Sequence, residues 1–588
     1  MKKNRLFFLA VLPIWLIGCS GAKDPTKPVT PSGEPTPSVE PTPSKEVTPS
    51  VEPTPSSVDP SWEDDDKDYP LSHDTNEDYV IDNTVSNEKG SMSYEIFVRS
   101  FYDSDNDQIG DLGGVKAKIP YLADLGIKTI WLMPIHQSSS YHGYDVLDFY
   151  SVHSDFGSIN DFDALVNEAN RYNIDIMIDM VFNHTSRACS WFNQSYIDYK
   201  NNNTSSNSKA DWYMWSDSKL PGKYYLYNDL YYLGVFDSWM PDLNLDSESL
   251  RNEIDNICKF WIEDHGVKGF RLDAAMHYYA ENVNKNNEFL GWLEDTTHKY
   301  DPNFYMVAEV WTNDVTVNNY YKSGLDSCFR FDNSVTGDYN LVNLTRGFGN
   351  PNIIAKNIQK NEEDLRKNNP NGYSSYFVSN HDQDRPDYTK EDYPGLGLKQ
   401  NKMLASLYGL LPGTPFMYYG EEIQLKGKRN TNPDDRSDAK RRLPMIWSET
   451  NKTGECKFPE AGRSDLDDTE QVKKGVDDVL QENYSLVKHY RKVINIRNKY
   501  GDIFKRGLFK SLVKDLVYTE DYMEGRMFAY SMTYNDETIY VVHNFSIYNA
   551  EIETIGNSIV DSINTTQKIP TLKDGLLRIG ALSTVILK

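Results

Sequence analysis

Val267-Lys268-Gly269-Phe270-Arg271-Leu272-Asp273-Ala274 is the run from which the architecture of the chain can be read. It is short and mainly apolar, and near its end it carries two charges at alternate positions. A strand has a period of two, so Arg271 and Asp273 lie on the same face. Seven further runs rich in β-branched and aromatic residues recur at 94–101, 127–135, 174–182, 304–311, 327–333, 374–382 and 414–421. Helical patterns separate them. Phe162, Leu165, Val166 and Ala169 fall at i, i+3, i+4 and i+7, as do Ile254, Ile257, Cys258 and Trp261. Apolar strands alternating with helices make a parallel sheet buried on both faces. Eight such units predict an α/β chain built on a closed (β/α)8 TIM barrel, with functional residues at the C-terminal strand ends. A doubly wound open sheet is the alternative, but no Gly-x-Gly-x-x-Gly turn follows any strand.

One connection is too long for a crossover helix. Between the third and fourth strands, residues 184–240 are rich in Asn, Ser, Tyr and Trp, and read as a small domain inserted over the barrel mouth. Trp191, Trp212, Trp215 and Trp239 either stack on sugar rings or form the insert's own core, and for any one of them the core is the better reading. The barrel then comprises 90–183 and 241–504, with its last helix over 484–500. Beyond it, alternating runs such as Met527-Phe528-Ala529-Tyr530-Ser531-Met532 predict an antiparallel β-sandwich over 505–588.

The N-terminus reads as an address. Lys2, Lys3 and Arg5 precede an apolar run over residues 6–17 that is too short to cross a bilayer. The run ends in Leu16-Ile17-Gly18-Cys19, which resembles a bacterial lipobox. That resemblance implies a signal peptide over 1–18 and attachment to the outer face of a membrane through lipidated Cys19. Residues 19–89 read as a tether: Pro-Thr-Pro-Ser and Val-Glu-Pro units favour polyproline II, and an acidic bridge follows. With 61 Lys and Arg against 87 Asp and Glu, the net charge of −26 excludes the footprint of a nucleic-acid binder. Five cysteines without a Cys-x-x-Cys pair give no basis for structural zinc. Cys258 and Cys328 read as core thiols, while any pairing of Cys189 and Cys456 is left open.

The chemistry lies in where the acids fall. Strand three runs into Asp179-Met180-Val181-Phe182-Asn183-His184, strand five into Glu309-Val310-Trp311, and strand seven into Asn380-His381-Asp382. In a barrel these ends converge, so Asp273, Glu309 and Asp382 share one pocket. Arg271 beside Asp273 favours an ionised nucleophile, and acids crowding a second carboxyl raise its pKa, as a general acid requires. Two such carboxyls with a third acid and nearby histidines form the constellation of a retaining glycosidase. Taken singly, each acid is as readily a helix cap and each histidine a core hydrogen-bonder. Their joint placement on separate strand ends is what argues for a site.

From about residue 90 onward the sequence resembles the α-amylase family, glycoside hydrolase family 13. The resemblance rests on the segments just quoted, on Met240-Pro241-Asp242-Leu243-Asn244, on Leu411-Pro412-Gly413-Thr414-Pro415, on Tyr418-Tyr419-Gly420-Glu421-Glu422, and on Leu443-Pro444-Met445-Ile446-Trp447, all in family order. It implies Asp273 as nucleophile, Glu309 as acid/base, and Asp382 as the residue holding the distorted sugar. His142, His184, Arg271, His277 and His381 would contact the substrate, and Tyr144 would stack on the reacting ring. Asp179 looks like a supporting residue. The implied substrate is starch or another α-glucan, and the protein is expected to be a monomer. Ala274 after the nucleophile resembles enzymes of α-1,4 bonds, whereas Met276 departs from the lysine usual in α-amylases. The Met-Pro-Asp-Leu-Asn segment resembles the subfamily intermediate between oligo-1,6-glucosidases and neopullulanases. An endo-acting α-amylase is therefore the first reading, a neopullulanase or maltooligosaccharide hydrolase the second, and a non-catalytic starch-binding lipoprotein the third. The presence of every catalytic acid argues against the last.

Asp103-Ser104-Asp105-Asn106-Asp107-Gln108-Ile109-Gly110-Asp111 sets acids at alternate positions, a spacing of hard oxygens that suits Ca2+. As an EF-hand it fails, with Gln108 at position six and Gly114 at position twelve. It resembles the calcium loop after strand one in family relatives, which implies Asp103, Asp105, Asp107, the Ile109 carbonyl and Asp111 as ligands. Asn183 corresponds to a ligand of another calcium in other relatives.

Overall fold

The computed structural model describes residues 92–280, 282–387, 397–429, 438–457, 471–519, 525–565 and 569–588. The expected signal peptide, Cys19 and tether lie outside the described residues. Among those described, no helix is long and apolar enough to cross a membrane.

Eight parallel strands form the barrel: β1 (Ser93–Ile96), β2 (Thr129–Leu132), β3 (Asp175–Met180), β4 (Gly269–Leu272), β5 (Tyr305–Ala308), β6 (Ser327–Phe329), β7 (Tyr373–Ser375) and β8 (Phe416–Tyr418). From β1 to β7 each strand pairs with the next in sequence, and β8 pairs with β1, Ser93 lying opposite Phe416. Two backbone bonds close the ring between the last two runs: the Thr414 N–H donates to the Ser374 carbonyl at 2.9 Å and the Phe416 N–H to the Tyr376 carbonyl at 2.8 Å. All eight expected runs are present. The paired ladders are shorter than the runs, because their C-terminal residues leave the sheet and turn over the mouth.

The period of two sorts the side chains. Tyr94, Ile96, Ile130, Leu132, Ile176, Ile178, Phe270, Leu272, Met306 and Ala308 pack outward in the core shared with the helices. Their alternates point inward, where Trp131, Met177, Val307, Phe329, Phe377 and Phe416 form an aromatic plug across the barrel axis. Glu95, Asp179 and Arg271 occupy the same inward register, which puts buried charge directly on an apolar floor. The helices start where the sequence offers caps. Ser158 and Asp161 form a reciprocal capping box on Ile159–Arg171, Ser247 caps Glu248–Lys259, and Asp111 caps Leu112–Leu125 through the Gly114 N–H.

Between β3 and β4 lie a helix (Ser190–Lys200) and a three-stranded antiparallel sheet (Trp215–Ser216, Tyr224–Tyr227, Leu230–Leu233). Its tryptophans are largely core. Trp212 is buried and meets Trp191 edge-on at 4.9 Å, and Trp215 packs on Phe192 at 5.0 Å. Entry and exit of this excursion are stitched together, since the Thr185 N–H reaches the Pro241 carbonyl and the Leu243 N–H the Asn183 carbonyl. After the last barrel helix (Leu486–Lys499), five-stranded and three-stranded antiparallel sheets enclose a second core of Met527, Ala529, Val542, Ile552, Leu577 and Val585. Cys189, Cys258, Cys328 and Cys456 are all buried free thiols.

Candidate active site

Arg271, on the inward face of β4, is 2% exposed and organises the mouth of the barrel. Its Nη1 donates to both oxygens of Asp179, at 2.8 and 2.9 Å, and to Asp273 Oδ1 at 2.8 Å. Its Nη2 donates to Glu309 Oε2 at 2.8 Å. One guanidinium therefore gathers three carboxyl groups from β3 and from the ends of β4 and β5, and its planar fork suits this division. Trp131 lies beneath it, with the ring centroid 5.2 Å from the guanidinium carbon.

Glu309 is fixed from a second side. The Ala274 N–H donates to its Oε2 at 3.0 Å, and the Ala275 N–H to its main-chain oxygen at 3.1 Å. Ala274 makes that turn with φ +49°, a left-handed conformation that few non-glycine residues adopt. The turn after β4 thus places Asp273 and Glu309 together.

Asp382 is held by other partners, with His381 Nε2 at 3.1 Å from its Oδ2 and the Arg442 Nη2 donating to its Oδ1 at 2.7 Å. Tyr144 bridges the two groups: its hydroxyl lies 2.7 Å from His381 Nε2 and donates to Asp179 Oδ2 at 3.0 Å. Its ring stacks on His381 at 5.5 Å. His184 is held by the Tyr144 carbonyl at 3.0 Å.

Burial and charge set the acids apart. Burial raises Asp273 and Glu309 above their ordinary values; the pull of Arg271 offsets this only in part, and the neighbouring acids push further upward. The sequence places Arg271 beside Asp273, where it favours the ionised form. Divided among three carboxyls, it does not outweigh the burial of that one. Burial also pushes Asp179 up to about 7. Asp382 goes the other way: against its burial, His381 and Arg442 hold it well below the carboxylate range. Burial brings His142 down to about 3 and His184 to about 4, so both are neutral hydrogen-bonders at neutral pH.

A cavity of about 330 Å³ opens above these groups. Asp273, Glu309 and Asp382 line it together with His142, Tyr144, His184 and His277. Arg271 and His381 lie just beneath and reach it through the carboxylates they hold. A larger cavity, of about 760 Å³, lies at the other end of the barrel among strand-opening residues such as Thr129, Gly269 and Thr414, and none of the three acids faces it. Four contributors escaped the sequence reading. Arg442 and Phe236 line the mouth, Glu95 holds His381 from below, and Trp311 stacks face to face on Phe331 at 4.7 Å beside the cavity. Glu95 did leave a signal, an acid in an apolar run, and Arg442 directly precedes a quoted motif.

In the loop after β1, Asp103, Asp105 and Asp111 each bring a carboxylate oxygen within 4.8 Å of the others. Left-handed Asn106 (φ +70°) and Gln108 (φ +80°) fold the loop back on itself. The Gly454 carbonyl and the Lys457 N–H strap it at Asp103 and Gln108. Three hard oxygens so close together fit a calcium ion. Asp107 falls outside this trio: it is exposed, and its Oδ1 accepts the Ile109 N–H at 2.7 Å.

A (β/α)8 barrel that gathers carboxyl groups around one arginine at its C-terminal mouth is the scaffold of a glycoside hydrolase. The chain belongs to the α-amylase family of these enzymes: residues 95–507 match the model described as "Alpha amylase, catalytic domain". It is 35% identical over 513 residues to "Alpha-amylase 3" of Dictyoglomus thermophilum, covering 85% of this chain and 93% of that one. It is 26% identical over 528 residues to "Oligo-1,6-glucosidase" of Bacillus cereus, covering 78% and 90%. Among solved structures, "Eubacterium rectale Amy13B" superposes with a TM-score of 0.77 at 33% identity, covering 85% of this chain and 96% of that one.

Proposed function

We propose that this enzyme is an endo-acting α-amylase that hydrolyses internal α-1,4-glucosidic bonds with retention of configuration. The observation that carries the reading is the single guanidinium holding Asp273 and Glu309 at one cavity that Asp382 also lines. Glu309 protonates the glycosidic oxygen while Asp273 attacks the anomeric carbon. The bond to the leaving sugar breaks and a glycosyl ester forms on Asp273. Water that gives its proton to Glu309 then cleaves the ester and restores both groups. Asp382, kept ionised by His381 and Arg442, accepts hydrogen bonds from the hydroxyls of the distorted sugar, and Tyr144 faces its ring.

The α-1,4 preference is supported by Ala274 and by the similarity to "Alpha-amylase 3". The likeness to oligo-1,6-glucosidases and the Met-Pro-Asp-Leu-Asn segment favour a second reading, a maltooligosaccharide hydrolase or neopullulanase. Early products on soluble starch distinguish the two: long oligosaccharides are expected, and a single short product from the outset would favour the second. Asp273→Asn should abolish release of reducing ends, and no activity in the parent would leave only a binding protein.

A structural Ca2+ fits Asp103, Asp105 and Asp111, where it would neutralise the acids and pin the loop after β1. Chelation should lower the thermal midpoint and added Ca2+ restore it; an unchanged midpoint, with no metal in the purified protein, rejects the site. The lipobox supports export and anchoring through Cys19, which predicts that Cys19→Ala releases the enzyme from the membrane fraction.

A further inference from the structure

Beneath the cavity, Glu95 is 1% exposed, on the inward face of β1. Its Oε1 lies 2.6 Å from His381 Nδ1, and the ring's other nitrogen faces Asp382 Oδ2 at 3.1 Å and the Tyr144 hydroxyl at 2.7 Å. The imidazole is thus set between two carboxylates, one on each nitrogen, with Trp131 edge-on against its face at 5.6 Å. A buried carboxylate is expensive to keep without a partner, and among the described residues the ring of His381 is the cation paired with Glu95.

We propose that Glu95 is a positioning residue for the hydrolysis: its carboxylate fixes the His381 ring and keeps it doubly protonated, so that Nε2–H donates toward Asp382. Neutral imidazole could satisfy only one of the two carboxylates, since it carries a single N–H. With the charged ring in place, Asp382 stays ionised and oriented without a proton of its own, free to accept from sugar hydroxyls. Glu95 never touches the sugar, because His381 and Tyr144 separate it from the cavity. Besides Glu95 and Asp382, the acids Asp179 and Asp273 favour the imidazolium at longer range, and His142 opposes it. The geometry agrees with the direction of the ring's titration: although burial lowers it, Asp382 and Glu95 raise it to about 10.

This inference rests on the hydrolase reading above, but its first test does not. In the full chain labelled at histidine, with His381→Asn used to assign the resonance, the His381 ring should remain charged from pH 5 to 9. A ring that titrates near the ordinary histidine value in the parent overturns the proposal, whether or not the protein cleaves starch and whether or not any variant folds. In Glu95→Gln, the same ring should titrate inside that window. kcat/KM on a maltooligosaccharide should then fall about tenfold more at pH 8 than at pH 5, mainly through kcat, because the lost charge returns on acidification. Glu95→Asp, which keeps the charge, should recover part of the loss at pH 8. A Glu95→Gln variant with the parent's pH profile, or one equally impaired at both pH values, overturns the role.

Discussion

Ala274 carries a left-handed backbone with a methyl group that disfavours it, at roughly 1–2 kcal/mol. The strain persists because its N–H is one of the two bonds that seat the Glu309 carboxylate. Ala274→Gly removes the steric penalty but loosens the unfolded chain, so its thermal midpoint should stay close to the parent's. Ala274→Val adds a β-branch where φ is positive and should lose roughly 1–3 kcal/mol in denaturant melts, with a fall in kcat as Glu309 shifts. A valine variant as stable and active as the parent would mean that the turn is not strained. Charge at single residues also sets the response to pH. Burial pushes Glu294 up to about 9, with Asp326 and Asp295 adding to it, and His381 stands near 10. Both folded values lie above the unfolded ones, so the native state holds protons that the unfolded chain has released, above about pH 4.5 for Glu294 and above about pH 6.5 for His381. Stability contributed by these groups is present at lower pH and is lost as pH rises toward 9 and 10. Glu294→Gln, distant from the cavity, should therefore raise the thermal midpoint at pH 8.5 relative to the parent and change it less at pH 5. Equal effects at the two pH values would refute this.

At the level of elements, the barrel closes where its last two strands meet, and one side chain secures that seam. Arg497, fully buried on the helix Leu486–Lys499, donates to the carbonyls of Gly409 and Leu411 at 2.9 and 2.8 Å and also to Gly413. Burial lowers its pKa to about 9. Gly413 cannot be replaced either: its φ is +86°, and a Cβ would lie 1.9 Å from the Ser374 carbonyl that accepts the closing bond. Arg497→Met strips three buried carbonyls of a donor and should lower stability by roughly 3 kcal/mol or more, whereas Arg497→Lys, with one nitrogen in place of a fork, should recover only part; urea unfolding midpoints measure both. Eight strands were legible because each is an apolar run of about the right length between helical patterns. Their ends were not. Residues 374–382 read as one strand, yet the ladder stops at Ser375, because the remaining residues bend to carry His381 and Asp382 over the mouth. Asp273, Glu309 and Asp382 were legible as acids at strand ends. The pairings Glu95–His381 and Arg442–Asp382 were not, because they span 286 and 60 residues and leave no local periodicity. The division of Arg271 among three carboxyls was equally hidden, since the sequence places only Asp273 beside it.

For the molecule as a whole, the five-stranded C-terminal sheet is buried on both faces, and the period of two shows how. Phe528, Tyr530, Met532, Ile539, Val541, Ile563 and Ile586 join the barrel core, while Met527, Ala529, Val542, Val585 and Leu587 face the three-stranded sheet. The Tyr530 hydroxyl also donates to the Leu410 carbonyl at 2.7 Å, and Lys499 pairs with Asp561 at 2.8 Å. At roughly 1.5–3 kcal/mol for each large side chain buried, seven such residues represent on the order of 10–20 kcal/mol of apolar burial as an upper bound. That is comparable with the entire stability of an ordinary domain, about 5–15 kcal/mol. The barrel therefore draws much of its stability from this sheet, although no described residue of the C-terminal region lines the cavity. The full chain should unfold in a single calorimetric transition, with starch hydrolysis lost at the same temperature as the β-sheet signal of the C-terminal region. A chain ending at Arg506 should be insoluble or unfold well below the parent, even though it retains Asp273, Glu309 and Asp382. Two resolved transitions, or a soluble truncated chain with the parent's kcat, would show that the sandwich is an appendage and that the barrel core closes without it.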